Sequence, residues 1–505
     1  MPDGKPAVEC QYLLANKEDE MDIYIGIDIG TTNSKALVYD GEGNLVKDFF
    51  CHTEYKTVGG LKFFDVKAID AFVDFVEEQA SKIGTVRSVG FSSIGESTIP
   101  VDEKGRVLFN APLWSEVPIT ANEEERRIIT ASNSFMTTGI CQNGLLALDK
   151  ILWMRRNYPE TRRAKWYLPF SSYEVFRKTG LAVWDYSQAL RSNAFLVHKR
   201  IWNTELLDQF GLHVFGALAP MGTACGEKHG IIYGLGGHDH ITGLYSIYSM
   251  LHENHPSFFY ESMGTSAVLA LLMGNGEQNY PQLATYNPIE GSFLPGFRDN
   301  EFGLTRSFRR FGELNSFWMR LGGREEDHTA YAALAEEMES RPYKQLSLMV
   351  ECDSDFIRGN SQDGVLNFYH VNPSADVVDY MRSIYLYLAV GAQALEDVLR
   401  KVVGISESIP YVAGGAVTRD ALFMTLRATA LGHDIQCLRN KEISALGGVY
   451  VGMHAAGATN AIKALSTTLL RGGVSYHPDP KYESWIADAK GQYEALKRSI
   501  DGRRI

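Results

Sequence analysis

The sequence predicts an α/β protein of two domains built on one repeated plan and facing a central cleft. Three observations carry that prediction. The chain has 505 residues, more than one hydrophobic core usually holds. A unit of strand, small-residue turn and strand opens at Ile23 (IYIGIDIGTTNSKALVYD) and begins again at Phe258 (FFYESMGTSAVLALL). In each half a later apolar run ends in glycines, Tyr233–His240 (YGLGGHDH) and Pro410–Ala416 (PYVAGGA).

In order along the chain, IYIGIDI reads as a first strand and SKALVYD, which alternates, as a second. GEGN is a hairpin turn, and LVKDFFCHTEY is a third strand. Ile69–Ala80 has helical apolar spacing, and Val86–Phe91 is another strand that ends at SSIGES. A β-hairpin followed by a βα unit suggests a mixed sheet of the ribonuclease-H type. The middle is helical, with candidates at Leu148–Arg155 and Ser172–Lys178. Beyond a boundary near 240–256 come a long helix at Ile384–Val402, a strand at Pro410–Ala416 and a helix at Leu422–Leu431. A short strand at Ile435–Leu438, a small-residue helix at Ile443–Ala456 and a helical tail at Ser475–Ile505 complete it. The expected domains are 22–243 and 244–470, with 471–505 as the tail.

A hydrophobic fraction of 45% and a charged fraction of 22% are ordinary for a globular protein. Net charge is −12 and the pI about 5.6, which argues against a nucleic-acid binder. It leaves a nucleotide enzyme open, since a metal ion can carry phosphate charge. The six cysteines form no CxxC pattern, so free thiols fit better than disulfides or zinc. No apolar run reaches a membrane span. Residues 1–21 are polar, without a signal-peptide core, and are expected to be a disordered leader, with Met21 as an alternative start. A cytoplasmic enzyme is the expectation.

Five stretches carry chemistry. In Asp28–Lys35 (DIGTTNSK), Gly30 lets backbone approach a ligand, and the amides, Thr31, Thr32 and Lys35 can hold phosphate oxygens. Asp28 would face phosphate only through a bridging Mg²⁺. A hairpin whose acid and hydroxyls merely satisfy turn amides is the alternative. MGTSAV (Met263–Val268) repeats the turn, and two such turns facing across a cleft explain both. AGGAVTRD (Ala413–Asp420) sets glycines between strand and helix, either as a tight βα turn or as a wall for adenine and ribose. GGHDH (Gly236–His240) places Asp239 at a strand end, where it could take a proton from a hydroxyl. Its histidines also permit a metal site, but no helical i,i+4 pairing supports one. Glu96 after a strand and Trp114 after a turn could grip a polyol, the carboxylate by hydrogen bonds and the ring by its face; a solvent Glu and a core Trp are the bland reading.

With these pieces in this order, the chain from about Ile23 to about Gly457 resembles the FGGY carbohydrate kinases, of the sugar kinase, Hsp70 and actin superfamily. IGIDIGTTNSKALVYD resembles their first phosphate motif, SMGTSAVLA the second, and VAGGAVTRDALFMTLRATALG the adenosine motif. KEISALGGVYVG, KILW (Lys150–Trp153) and WDYSQALRS (Trp184–Ser192) are also similar to family stretches. The resemblance implies two actin-like ATPase domains, ATP and Mg²⁺ as cofactors, and a small sugar or polyol as substrate. It implies Asp239 as catalytic base and Asp28 as the acid that organises Mg²⁺. It places Gly30, Thr31, Thr32, Lys35, Gly264, Thr265, Ser266, Gly312, Gly414, Gly415, Ala416 and Arg419 at ATP. Glu96, Trp114, Asp239 and His240 fall at the acceptor. Family members often dimerise or tetramerise, so a homodimer or tetramer is compatible with it; nucleic-acid and membrane partners are not expected.

The departures lie on the acceptor side. Trp114-Ser115-Glu116-Val117-Pro118 has proline where the family's W-x-D-x-R has arginine. Gly95 stands where glycerol kinases carry an arginine, and Leu145 replaces a tyrosine. GVLNFYHVNPSADV (Gly364–Val377) replaces the usual G-x-R-x-P stretch. These changes point away from glycerol toward another polyol or a ketose. They also motivate a second reading, a catalytically silent sugar-binding regulator on the same fold. An Hsp70- or actin-like switch is a third, but the roughly 50 residues after the last motif are too few for a peptide-binding domain.

Overall fold

The computed structural model describes residues 21–501 apart from 265–266, 275–290, 309–314, 318, 321, 326–327, 343–348, 353–365, 370–373, 439 and 441. Thr265, Ser266, Gly312, nearly all of the leader and much of the Gly364–Val377 stretch therefore lie outside the described residues.

The N-terminal sheet has six strands: β1 Asp22–Ile29, β2 Asn33–Asp40, β3 Leu45–His52, β4 Thr85–Ser93, β5 Ala224–Lys228 and β6 Ile231–His238. They lie side by side in the order β5-β6-β4-β1-β2-β3. The β1–β2 and β2–β3 pairs are antiparallel, and β4 and β6 run parallel to β1. The second sheet is built from β7 Phe258–Met263, β8 Ala267–Met273, β9 Gly291–Pro295, β10 Phe302–Phe308, β11 Tyr411–Gly414, β12 Ile435–Cys437 and β13 Val474–Tyr476. Its order is β9-β10-β8-β7-β11-β12-β13. Here too an antiparallel run, β10-β8-β7, lies on one side of the first strand, and parallel strands β11 and β12 lie on the other. The mixed sheet expected from the hairpin and βα order thus occurs twice.

The helices relevant to the site are α1 Val66–Ala80, α2 Phe170–Thr179, α3 Asp239–Leu251, α4 Val377–Val403, α5 Ala421–Leu431, α6 Ile443–Ala455 and α7 Glu483–Asp501. The apolar spacing of α1 is realised: Val66, Ile69, Phe72, Val73, Val76 and Ala80 are buried. Period two in β1 sets Ile23, Ile25, Ile27 and Ile29 on one face, all fully buried, and Tyr24, Gly26 and Asp28 on the other. That second face is covered by α6. A Cβ on Gly26 would stand 2.1 Å from the Ala445 carbonyl oxygen, and one on Gly90 of β4 2.2 Å from that of Gly448. Glycine is required because helix and sheet backbones touch directly.

Several expectations are corrected. LVKDFFCHTEY is not one strand: β3 ends at His52, and Tyr55–Val58 pairs instead with Leu61–Phe64 in a separate hairpin. The tail is not helical from Ser475; Val474–Tyr476 first adds β13 to the second sheet, and α7 begins at Glu483. Strands β5, β9 and β10 are not visible in the sequence pattern.

Candidate functional site

Asp28 sits at the end of β1 in cross-strand register with Lys35 of β2 and Ser92 of β4. Paired residues on neighbouring strands share a face, so one face at the strand ends gathers a carboxylate, an ammonium and a hydroxyl. Ser92 Oγ donates to Asp28 Oδ1 at 2.7 Å. Lys35 Nζ is ion-paired with Glu442, the residue preceding α6. Burial, and next the charge of Asp239, push the Asp28 carboxyl up to about 7, while Ser92 and Lys35 oppose the rise.

Asp239 is the first residue of α3, where β6 hands over to the helix. Its Oδ1 accepts the His240 backbone N–H at 2.7 Å and lies 3.2 Å from His238 Nδ1. Burial acts to raise its carboxyl, but His240, His238, that backbone N–H and Arg191 outweigh it and hold it below the ordinary aspartate value. Burial drives His238 down to about 4, so this imidazole is neutral near pH 7. Ser444 Oγ of α6 donates to the Asp239 carbonyl at 3.2 Å, and His240 Nδ1 lies 3.2 Å from Ser262 Oγ of β7. Both sheets therefore meet at Asp239. Ser262 is two residues before Gly264, as Asp28 is two before Gly30, so the second copy of the turn carries a hydroxyl where the first carries an acid.

Between the sheets lies a cleft of about 1050 Å³. Asp28, Lys35, Gly264, Gly414, Gly415, Ala416 and Arg419 line it together. Gly415 has φ +116°, and a Cβ there would be 2.2 Å from the Met263 carbonyl oxygen, so the glycine turn is pressed against the end of β7. Asp420 caps α5 by accepting the Phe423 N–H, and Tyr385 of α4 donates to the same carboxylate. Sequence reasoning missed Glu442, Ser262, Ser444, Asn315, Arg320, Tyr331 and Tyr385, which also line this cleft. Glu442 was within KEISALGG, but nothing local marks a helix-preceding glutamate as facing another sheet.

Gly30, Thr31 and Thr32 form the turn between β1 and β2. The Gly30 carbonyl accepts from Thr53 Oγ1 at 2.8 Å, and the Thr32 carbonyl from the Thr53 N–H at 3.0 Å. Trp114 Nε1 donates to Thr31 Oγ1 at 2.9 Å, and the residue is 38% exposed. Trp114 thus adjoins the first turn at the surface, not in the core. Glu96 is not a solvent residue: it is buried, at a left-handed φ of +60°, and held by Arg191. A non-glycine residue in that region is a marker of functional sites.

A metal was expected at Asp28. Among the described residues no group of three or more His, Cys, Asp or Glu is arranged to hold a metal ion. A partly buried carboxylate facing the cleft, with the charge of a second carboxylate nearby, suits a cation that keeps its waters and completes its shell with phosphate oxygens. The residues present therefore fit Mg²⁺ arriving with a nucleotide.

Two sheets of one topology around such a cleft define the actin-like ATPase architecture. Residues 23–232 match the FGGY family of carbohydrate kinases, N-terminal domain. That match covers less than half of the chain. A glycerol kinase of Thermococcus kodakarensis is 26% identical over 199 residues, 37% of this chain and 40% of the relative. The chain spans about half or less of the length of the curated relatives it matches, 43%, 40% and 50% in three of them. The fold extends further: a xylulose kinase from Rhodospirillum rubrum superposes with TM-score 0.77 at 18% identity, covering 95% of this chain and 99% of the other. Plasmodium falciparum glycerol kinase with ADP gives TM-score 0.75 at 17% identity, covering 95% and 98%.

Proposed function

We propose that the protein is an ATP-dependent carbohydrate kinase acting on a hydroxyl of a small sugar or polyol, a ketose or alditol in preference to glycerol. The observation that carries this is the pair Asp28 and Asp239, partly buried carboxylates near the meeting point of the two sheets, the charge of Asp239 raising Asp28 while its histidine neighbours hold Asp239 low. Asp239, held ionised, orients the acceptor hydroxyl and takes its proton. Lys35, the amides around Gly30 and Gly264, and the Gly414-Gly415-Ala416 turn position the triphosphate. Mg²⁺, organised by Asp28, would supply neutralisation of phosphate charge. Thr31, Thr32, Thr265, Ser266, Gly312 and Arg419 belong to the nucleotide contacts in this reading, and Glu96, Trp114 and His240 to the acceptor.

Residues 22–243 are assigned to sugar and phosphate, 244–470 to nucleotide and 471–505 to a tail. Helix α3 crosses the 243/244 boundary and α6 returns from the second half onto the first sheet, so both act as connections between the domains. No described helix is long and apolar enough to cross a membrane; a cytoplasmic location and a homodimer or tetramer remain part of the proposal. The test is ADP release with Mg-ATP over a panel of ketopentoses, ketohexoses, alditols, deoxy-sugars and glycerol, with Asp239→Ala as control. One acceptor giving Asp239-dependent turnover supports the reading. Sugar binding without turnover favours the silent regulator that the Gly95 and Pro118 departures suggest.

A further inference from the structure

Arg191 touches Glu96 with two of its N–H groups. Nε donates to Glu96 Oε1 at 2.6 Å, and Nη2 donates to the same oxygen. Among the described residues both of these hydrogen bonds fall on Oε1 and none on Oε2, and the Glu96 backbone has a φ of +60°. The fold constructs this pair from several elements. Asp185 caps the short helix Tyr186–Leu190 by accepting the Ser187 and Gln188 N–H groups. Gln188 Nε2 donates to the Ser93 and Ile94 carbonyls, tying that helix to the segment that carries Glu96. The Arg191 and Ser192 carbonyls accept the Ala147 and Leu148 N–H groups. Next to Glu96, Gly95 has no side chain: a Cβ would stand 2.5 Å from His238 Cδ2 and 3.3 Å from Arg191 Cγ. The space beside residue 95 is thus filled by His238 and Arg191. Arg191 also exerts its charge on Asp239 and His238.

Resting on the kinase reading, we propose that Arg191 is a positioning residue for the acceptor: it holds one oxygen of Glu96 so that the other is presented to an acceptor hydroxyl. The acceptor class this favours is an uncharged polyhydroxyl compound, because the Glu96 carboxylate accepts hydrogen bonds from hydroxyls and repels an anion. The residue acts by geometry, so lysine, which keeps the charge but lacks the fork, restores only part of the effect.

The experiment is a double-mutant cycle with Glu96→Gln and Arg191→Met, plus Arg191→Lys. It is read as KM and kcat for the preferred acceptor and, without ATP, as acceptor binding by calorimetry. Arg191→Met is expected to raise KM at least tenfold with kcat falling by less. Arg191→Lys should recover part of that loss, and adding Glu96→Gln to Arg191→Met should cost less than twofold more. Unchanged KM in Arg191→Met, full additivity of the two changes, or equal failure of the Met and Lys variants with loss of the folded circular-dichroism spectrum would overturn the proposal. So would tighter binding of an anionic sugar acid than of its neutral alcohol. A wild-type protein that binds neutral acceptors without phosphorylating them removes the kinase reading while the calorimetric cycle still decides the role of Arg191. One that binds none overturns both.

Discussion

Lys35 and Glu442 form an ion pair across the junction of the two halves, one from β2 of the first sheet and one from the turn before α6. Both side chains line the cleft beside Asp28 and are only partly buried. In water-accessible surroundings such a pair contributes little stability by itself. In the proposed kinase reading, Lys35 is held in place by Glu442 and exchanges that partner for a phosphate oxygen. Lys35→Met should therefore raise KM for ATP about 10- to 100-fold, corresponding to a charge-assisted hydrogen bond of about 1.5–3 kcal/mol, with the melting temperature little changed. Steady-state kinetics at saturating acceptor check this; an unaltered KM would remove Lys35 from the phosphate contacts.

Asp239→Asn keeps an oxygen able to accept the His240 N–H that now goes to Asp239 Oδ1. Local structure at the start of α3 should survive while the proposed base is lost. Turnover should fall about 10²- to 10⁴-fold, with ADP affinity unchanged by calorimetry. A variant with near-normal turnover would mean that another group takes the proton.

Gly26 is the point where β1 and α6 meet backbone to backbone. Gly26→Val places methyl groups where the Ala445 carbonyl and Val449 nitrogen already stand, 2.1 and 2.3 Å from a Cβ. Neither neighbour is a flexible side-chain end, so the change should cost about 3 kcal/mol. The readout is the urea midpoint at constant slope. A loss below about 1 kcal/mol would show that α6 can lift from the sheet without penalty.

His454, at the end of α6, is depressed to about 4, by burial first and then by His252 and Arg298. The unfolded chain takes up a proton near 6.5 that the folded protein refuses until about 4. Stability from this group is therefore fully present above about 6.5 and lost as pH falls through that window, by at most about 3 kcal/mol. His454→Gln should flatten this part of the acid limb in chemical denaturation measured from pH 7.5 to 4.5. His238 behaves alike, so the flattening should be partial.

Much of the fold was legible because its strands and helices are long, periodic and bounded by small residues. Ile384–Val402 appears within α4, Val377–Val403, since its buried positions recur at helical spacing. Ile443–Ala456 was recognisable as a helix by its length and small residues, but not its destination. Its glycines read as weak helix formers, yet they let it lie on Gly26 and Gly90 of the other half's sheet. The short hairpin Tyr55–Val58 with Leu61–Phe64 escaped because its residues continue the alternation of β3 without a break in pattern.

For the site, local chemistry sufficed to single out Asp28, Lys35, Asp239, Glu96 and the glycine turns, because an acid or glycine closing an apolar strand is unusual in itself. Tertiary structure alone decided the pairings. Glu442 is 407 residues from Lys35, and Arg191 is 95 from Glu96. Contacts at such separations depend on how helices and sheets dock, which no window of sequence encodes. The sequence by itself determined two α/β copies and the residue types capable of handling phosphate and a hydroxyl. The three-dimensional structure decided that the first copy ends in Asp28 and the second in Ser262 with Asp239 between them. The reason is physical: strand periodicity is a local property, whereas the burial and the Asp239 charge that raise the Asp28 carboxyl exist only once strands and helices pack around one cleft.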